Sequence, residues 1–163
     1  MNELAAKVIS TLRDRTVDLA VAESLTGGLL SAALTSVPGA SQVFLGGVVS
    51  YATRLKTELL DVPARTIADH TVVSEEVALG MAVGLQDRTD ADWVIAVTGV
   101  AGPDGQEGHE PGEVWICVLG PRIASTPQFR QVERFEFEGD RDAVRTQTVD
   151  AACRMLLRVV SPV

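Results

Sequence analysis

The chain has 163 residues, of which 46% are hydrophobic and 22% charged, with a formal net charge of −8. That length can bury a substantial core without disulfides or metals, and the composition excludes disordered, fibrous and low-complexity classes. The acidic balance repels nucleic-acid backbones, and no basic patch offsets it.

The opening Met1-Asn2-Glu3-Leu4 lacks a basic region followed by an apolar one, so no secretory leader is expected. A helix is predicted from about Glu3 to Arg13, where Leu4, Ala5, Val8, Ile9 and Leu12 recur at helical spacing. Leu19-Ala20-Val21-Ala22 is a short apolar run of the kind seen in strands buried on both faces. A second helix is predicted over Leu29 to Thr35, ending before Pro38-Gly39. Gln42 to Ala52, rich in Val, Phe and Tyr, reads as a strand, with Gly46-Gly47 marking a bulge or a close backbone approach.

A short helix follows over Arg54 to Leu60, ended by Pro63. Ser74 caps the next one, which begins with Glu75 and Glu76, buries Val77, Met81 and Leu85, and ends near Arg88. Trp93 to Val97 is a further β-type run, closed by the loop Thr98 to Gly105 and a polar excursion to Gly112. Val114 to Leu119 and Phe129 to Phe137 read as neighbouring antiparallel strands, because no helical pattern separates them. Asp140 caps a final helix whose apolar stripe is Val144, Ala151, Ala152, Met155 and Val159. Helices interleaved with strands, then two adjacent strands, predict an α/β chain: a three-layer α/β/α sandwich on a mixed sheet, one domain over 1–163.

The apolar stretches fall short of the ~20 residues that span a bilayer, so no membrane partner and a cytoplasmic location are expected. Cys117 and Cys153 lie far apart in apolar surroundings and read as buried thiols; with only His70 and His109 besides, no metal site is expected. No cofactor is implied. A homo-oligomer is left open.

Three segments place small or polar residues just after a buried apolar run, where the ends of parallel strands gather ligand-binding loops. In Glu23 to Gly28, Ser24 sits at a strand-to-helix turn, and the backbone of Thr26, Gly27 and Gly28 opens the helix. Such amides can hold an anion or a developing oxyanion, although Ser24 or Thr26 can equally act as a simple cap. In Tyr51 to Lys56, the lysine is notable because Lys7 and Lys56 are the only lysines against twelve arginines. A lysine's pKa can fall far enough to make it a base, whereas arginine stays protonated. A surface lysine and a strand-filling Tyr51 are the plain alternatives. In the third segment, Thr98 offers a hydroxyl, and Gly99 begins a backbone that can turn tightly near a ligand or form an ordinary surface turn.

Taken in order, A-E-S-x-T-G-G at Ala22 to Gly28, Tyr51 with Lys56, V-S-E at Val73 to Glu75, T-G-x-A-G-P-D-G at Thr98 to Gly105, P-G-x-V-W at Pro111 to Trp115 and F-x-G-D-R-D-x-V-R at Phe137 to Arg145 resemble the CinA C-terminal domain family over nearly the whole chain. The resemblance implies a nicotinamide-nucleotide amidase that converts nicotinamide mononucleotide, a small nucleotide, into nicotinic acid mononucleotide and ammonia. It further implies Ser24 as nucleophile and Lys56 as its base, with Tyr51, Thr98 and Arg141 completing the site. Leu25 and Ser50 stand where relatives often carry Cys and Thr; neither replaces a group the mechanism needs.

The chemistry is consistent with that assignment. A carboxamide is a poor electrophile, so a covalent intermediate divides one hard step into two, and a serine nucleophile needs an adjacent base. The motif segments hold no histidine, which leaves a Ser-Lys pair. Desolvation or a nearby positive charge, with Arg54 and Arg141 as candidates, would bring the lysine toward neutrality. Arg141 and Arg145, four apart on one helical face, can receive a phosphate, or Arg145 can simply pair with a neighbouring acid. A non-catalytic nucleotide-binding or regulatory module is the rival expectation.

Overall fold

The computed structural model describes residues 2–161. Five strands form one mixed sheet in the order β2-β1-β3-β4-β5, where β1 is Leu19–Glu23, β2 Phe44–Val49, β3 Trp93–Gly99, β4 Glu113–Leu119 and β5 Arg130–Glu136. The first three are parallel, and the last two join antiparallel. The helices are α1 (Glu3–Arg15), α2 (Leu29–Thr35), α3 (Thr53–Leu60), α4 (Ala64–His70), α5 (Glu75–Thr89) and α6 (Arg141–Val160). They cover both faces, and the expected three-layer sandwich is the one found.

Each layer follows from the side chains that need burial. On one face α1, α2 and α6 pack together, and Val8, Leu12, Leu30, Leu34, Met155 and Leu156 meet Leu19, Val21, Ile95 and Val97 from the sheet. On the other, Val77, Met81 and Leu85 of α5 cover Ala20, Ala22, Val94 and Ala96, whose small size lets a helix lie close. Side chains alternate across the sheet, so both faces of β1 and β3 are apolar, as their unbroken runs require. Asn2, Ser74 and Asp140 cap α1, α5 and α6 through side-chain oxygens that accept backbone amides.

The structure departs from the sequence reading in four places. Strand β2 is shorter than Gln42 to Ala52 because Ala40–Gln42 close a 3-10 turn and the chain leaves the ladder after Val49. Helix α4 was not expected; it buries none of its residues completely, so it has no apolar stripe to announce it. Thr98 and Gly99 complete β3 rather than opening the loop, since they pair with Trp115 and Val114. In α6, Ala151 and Val159 are only partly buried, and Val149, Cys153, Leu156 and Val160 carry the stripe with Val144, Ala152 and Met155.

The Gly46-Gly47 expectation is met in both senses. The ladder slips by one residue at Leu45, as Leu19 pairs with Phe44 but Ala20 with Gly46. A Cβ on Gly47 would stand 3.0 Å from the Val21 side chain and closer still to Ser31 Oγ. Both cysteines are buried, and desolvation pushes each thiol up to about 12, which leaves them unreactive.

Gly84 fixes the approach of α5 to α3, for a Cβ there would lie 1.6 Å from the Leu60 carbonyl oxygen. Helix propensity favours alanine over glycine by about 1 kcal/mol. Overlap with a backbone atom outweighs that gain. Gly84→Ala is expected to destabilise the fold by about 1–3 kcal/mol, the usual cost of overpacking. A urea midpoint that stays put or rises would contradict it.

Candidate active site

Strands β1, β2 and β3 all end at the same edge of the sheet. The chain passes from β1 to β2 on one side, then crosses back to β3 on the other, so the crevice between the ends of β1 and β3 is a topological switch point. Ser24 follows β1 directly and its amide donates to Val97 O at 3.1 Å, while Ser50 follows β2 and donates to Glu23 O at 2.9 Å. These two bonds hold the three strand ends in register.

A cavity of about 250 Å³ opens there, lined by Ser24, Tyr51, Lys56, Thr98, Gly99 and Arg141 among others. Lys56 is the central feature. Helix α3 carries it inward until the side chain is only 2% exposed, and Nζ donates to Ser24 Oγ at 2.9 Å and to Ser50 O at 2.8 Å. Burial lowers its pKa from 10.5 to about 8, against an opposing pull from the negative charge of Glu107. The expected contribution of Arg54 is absent: it faces solvent and pairs with Glu58 at 2.7 Å. Desolvation supplies the shift.

The rim is tied by Arg141, whose Nη1 donates to Gly102 O at 2.7 Å and Nη2 to Tyr51 Oη at 2.6 Å. One guanidinium thus links the end of β2 to the loop after β3. Thr98 has a structural bond, its hydroxyl donating to Val72 O at 2.7 Å, which draws the segment before α5 over the cavity. Gly99 lets β3 run against β4, where a Cβ would stand 2.5 Å from Glu113 O.

The helix-opening backbone behaves differently from the anion cradle expected at Thr26, Gly27 and Gly28. None of the three lines the cavity. The buried carboxylate of Glu23 accepts the amides of Gly28 (3.0 Å), Leu30 (3.1 Å) and Ser31 (2.8 Å) and the Ser31 hydroxyl (2.6 Å), so it already occupies the positive end of α2. The Gly27 amide is taken by Ser24 O at 3.0 Å. Thr26 is fully buried, and its Oγ1 has no hydrogen-bond partner among the described residues. Arg145 also lies outside the cavity wall: Nη2 donates to Thr26 O at 2.9 Å, and Nη1 pairs with Asp142 at 3.3 Å.

Sequence reasoning overlooked Glu23, whose signal is an acid closing an otherwise apolar strand, and the loop residues Asp104, Gln106 and Glu107. Asp104 and Gln106 line the cavity, and Glu107 Oε2 accepts the Val72 amide at 3.1 Å. Among the described residues no three His, Cys, Asp or Glu side chains group so as to hold a metal ion, and no helix is long and apolar enough to cross a membrane.

Fold and site together define an α/β/α protein with a buried Ser-Lys pair at a sheet switch point. The family model of the CinA C-terminal domain matches residues 1–160, and the chain belongs to that family. It is 42% identical over 157 residues to a CinA-like protein of Citrifermentans bemidjiense, covering 96% of this chain and 36% of that protein. A CinA-like protein of Parasynechococcus marenigrum is 44% identical over 158 residues, again 96% of this chain and 37% of the relative. The chain therefore spans little more than a third of the curated relatives it matches. Among solved structures, a competence-damaged protein (CinA) superfamily protein from Klebsiella pneumoniae superposes with a TM-score of 0.92 at 34% identity, covering 99% of both chains. The competence/damage inducible protein CihA from Agrobacterium tumefaciens gives 0.89 at 32% identity, covering 96% of this chain and 93% of that one.

Proposed function

We propose that this chain is an amidohydrolase that converts nicotinamide mononucleotide into nicotinic acid mononucleotide and ammonia by a Ser-Lys mechanism. The observation that carries the reading is the 2.9 Å contact between the buried Lys56 Nζ and Ser24 Oγ. A lysine buried merely for packing would keep its ammonium in solvent.

With the amine neutral, Lys56 Nζ takes the Ser24 proton as Oγ attacks the carboxamide carbon. The carbonyl π electrons move to oxygen, giving a tetrahedral oxyanion. The amide of Leu25, next to the nucleophile, has no acceptor among the described residues and suits that charge. Collapse expels the amino group, which takes the proton from Lys56 and leaves as ammonia with an acyl-serine behind. Water, deprotonated by the same amine, then attacks the acyl carbon; Ser24 recovers its proton and the carboxylate departs. Ser50 O fixes the amine by accepting its second bond.

Purified protein incubated with nicotinamide mononucleotide should release ammonia; no release above a blank at micromolar enzyme would return the site to the binding-module reading. We assign Arg141 to the phosphate or ribose, since only two of its five N–H groups have partners among the described residues. Arg141→Ala is expected to raise KM for the nucleotide about tenfold or more, the worth of a charge-assisted bond. Loosening of the Tyr51 and Gly102 contacts acts on any substrate, so free nicotinamide, measured in parallel, should show a much smaller rise. Equal effects on both would remove Arg141 from nucleotide recognition.

A further inference from the structure

The cavity has two electrical poles. Arg141 stands at the rim and Asp104 in the wall. Glu107 follows on the same loop, fixed by the Val72 amide at 3.1 Å, and Val72 is itself a wall residue. Neither carboxylate forms a salt bridge among the described residues. Tyr51 lines the same cavity, α3 also carries Arg54 and Glu58, and α5, packed against α3, begins with Glu75 and Glu76 and carries Asp87 and Arg88 near its end, the latter paired with Asp61.

Acidic residues in this position oppose the proposed base. A negative charge beside Lys56 favours its ammonium form, and the Glu107 charge does act on it in that sense. On a neutral amide, Asp104 and Glu107 would only slow the reaction. A substrate with a fixed positive charge reverses the balance: the two carboxylates attract it, and once bound it repels the proton held by Lys56. We propose, resting on the amidase reading above, that Asp104 and Glu107 are specificity-determining residues that select an amide whose ring carries a fixed positive charge, with the anionic end of the same molecule at Arg141. The ring nitrogen of a nicotinamide nucleotide is quaternary and supplies that charge, and its phosphate supplies the other pole.

The test uses binding, so it does not depend on turnover. The Ser24→Ala protein is titrated calorimetrically with nicotinamide mononucleotide and with its reduced form, whose dihydropyridine ring is uncharged. Both titrations are repeated with Asp104→Asn and Glu107→Gln added; both side chains are exposed, and Gln keeps the acceptor for Val72. The oxidised nucleotide is expected to lose about three- to tenfold in affinity and the reduced one about twofold at most. In the active enzyme the midpoint of the kcat profile should fall below that of kcat/KM, because the bound cation eases deprotonation of Lys56. Equal losses for the two nucleotides, with ammonia still released by the unsubstituted protein, would overturn charge selection and leave the amidase standing. Failure of both nucleotides to bind would overturn the two together.

Discussion

Ser24→Ala is expected to abolish turnover, with a loss on the order of 10⁴–10⁶ in kcat, while nucleotide affinity and unfolding midpoint stay close to those of the parent protein. The size follows from the proposed role of Ser24, a nucleophile that would act as one unit with its base. The stability expectation follows from geometry. Ser24 is 8% exposed, and its amide bond to Val97 O and its carbonyl bond to the Gly27 amide survive in alanine. What is lost is one acceptor for Lys56 Nζ, which keeps Ser50 O. Activity within a few-fold of the parent would rule out a covalent route.

Much of this site is legible in the chain because the architecture of parallel sheets is repetitive. An apolar run of four or five residues ending in Ser24 or Thr98 marks a strand end, and strand ends converge. That brings the segments of Ser24, Tyr51 with Lys56, and Thr98 with Gly99 to one edge of the sheet, while Arg141, at the start of α6, is singled out by the family resemblance and not by any strand end; all six line one cavity. The rarity of lysine then separates Lys56 from the arginines, and its burial is the physical counterpart of that compositional signal.

What the chain conceals are interactions decided by which of two groups reaches a partner first. The amides at the start of α2 look like an anion site until Glu23, at the end of the preceding strand, turns its carboxylate onto them. A buried acid of this kind is stable only when hydrogen-bonded, and four donors at 2.6–3.1 Å satisfy it. The consequence for the proposed function is positional: the helix dipole is spent on orienting the turn that holds Ser24, so the phosphate of the proposed nucleotide substrate would need a cation elsewhere, and Arg141 stands on the rim. Helix α4 escapes notice for the opposite reason, since it lies on the surface and has no apolar periodicity to read.

Lys56 offers the sharpest discrimination between chemistry and charge. If its role were to supply a positive charge, Lys56→Arg would keep most activity. A guanidinium cannot accept the Ser24 proton at neutral pH, so as a base replacement arginine should be about as damaging as alanine, with a loss on the order of 10²–10⁴ in rate. Packing adds a second difficulty, because the side chain is 2% exposed and a larger head group would crowd Ser24 and Ser50; a thermal midpoint measured for both variants separates misfolding from lost chemistry. The pH profile of the unsubstituted protein needs no variant at all. Desolvation stabilises the neutral amine, so the amine is protonated below about 8 and free above it. The kcat/KM profile should therefore climb tenfold per pH unit well below that value and level off above it. An active Lys56→Arg protein together with a flat profile between about pH 6 and 9 would sink the Ser-Lys mechanism and return Lys56 to substrate binding.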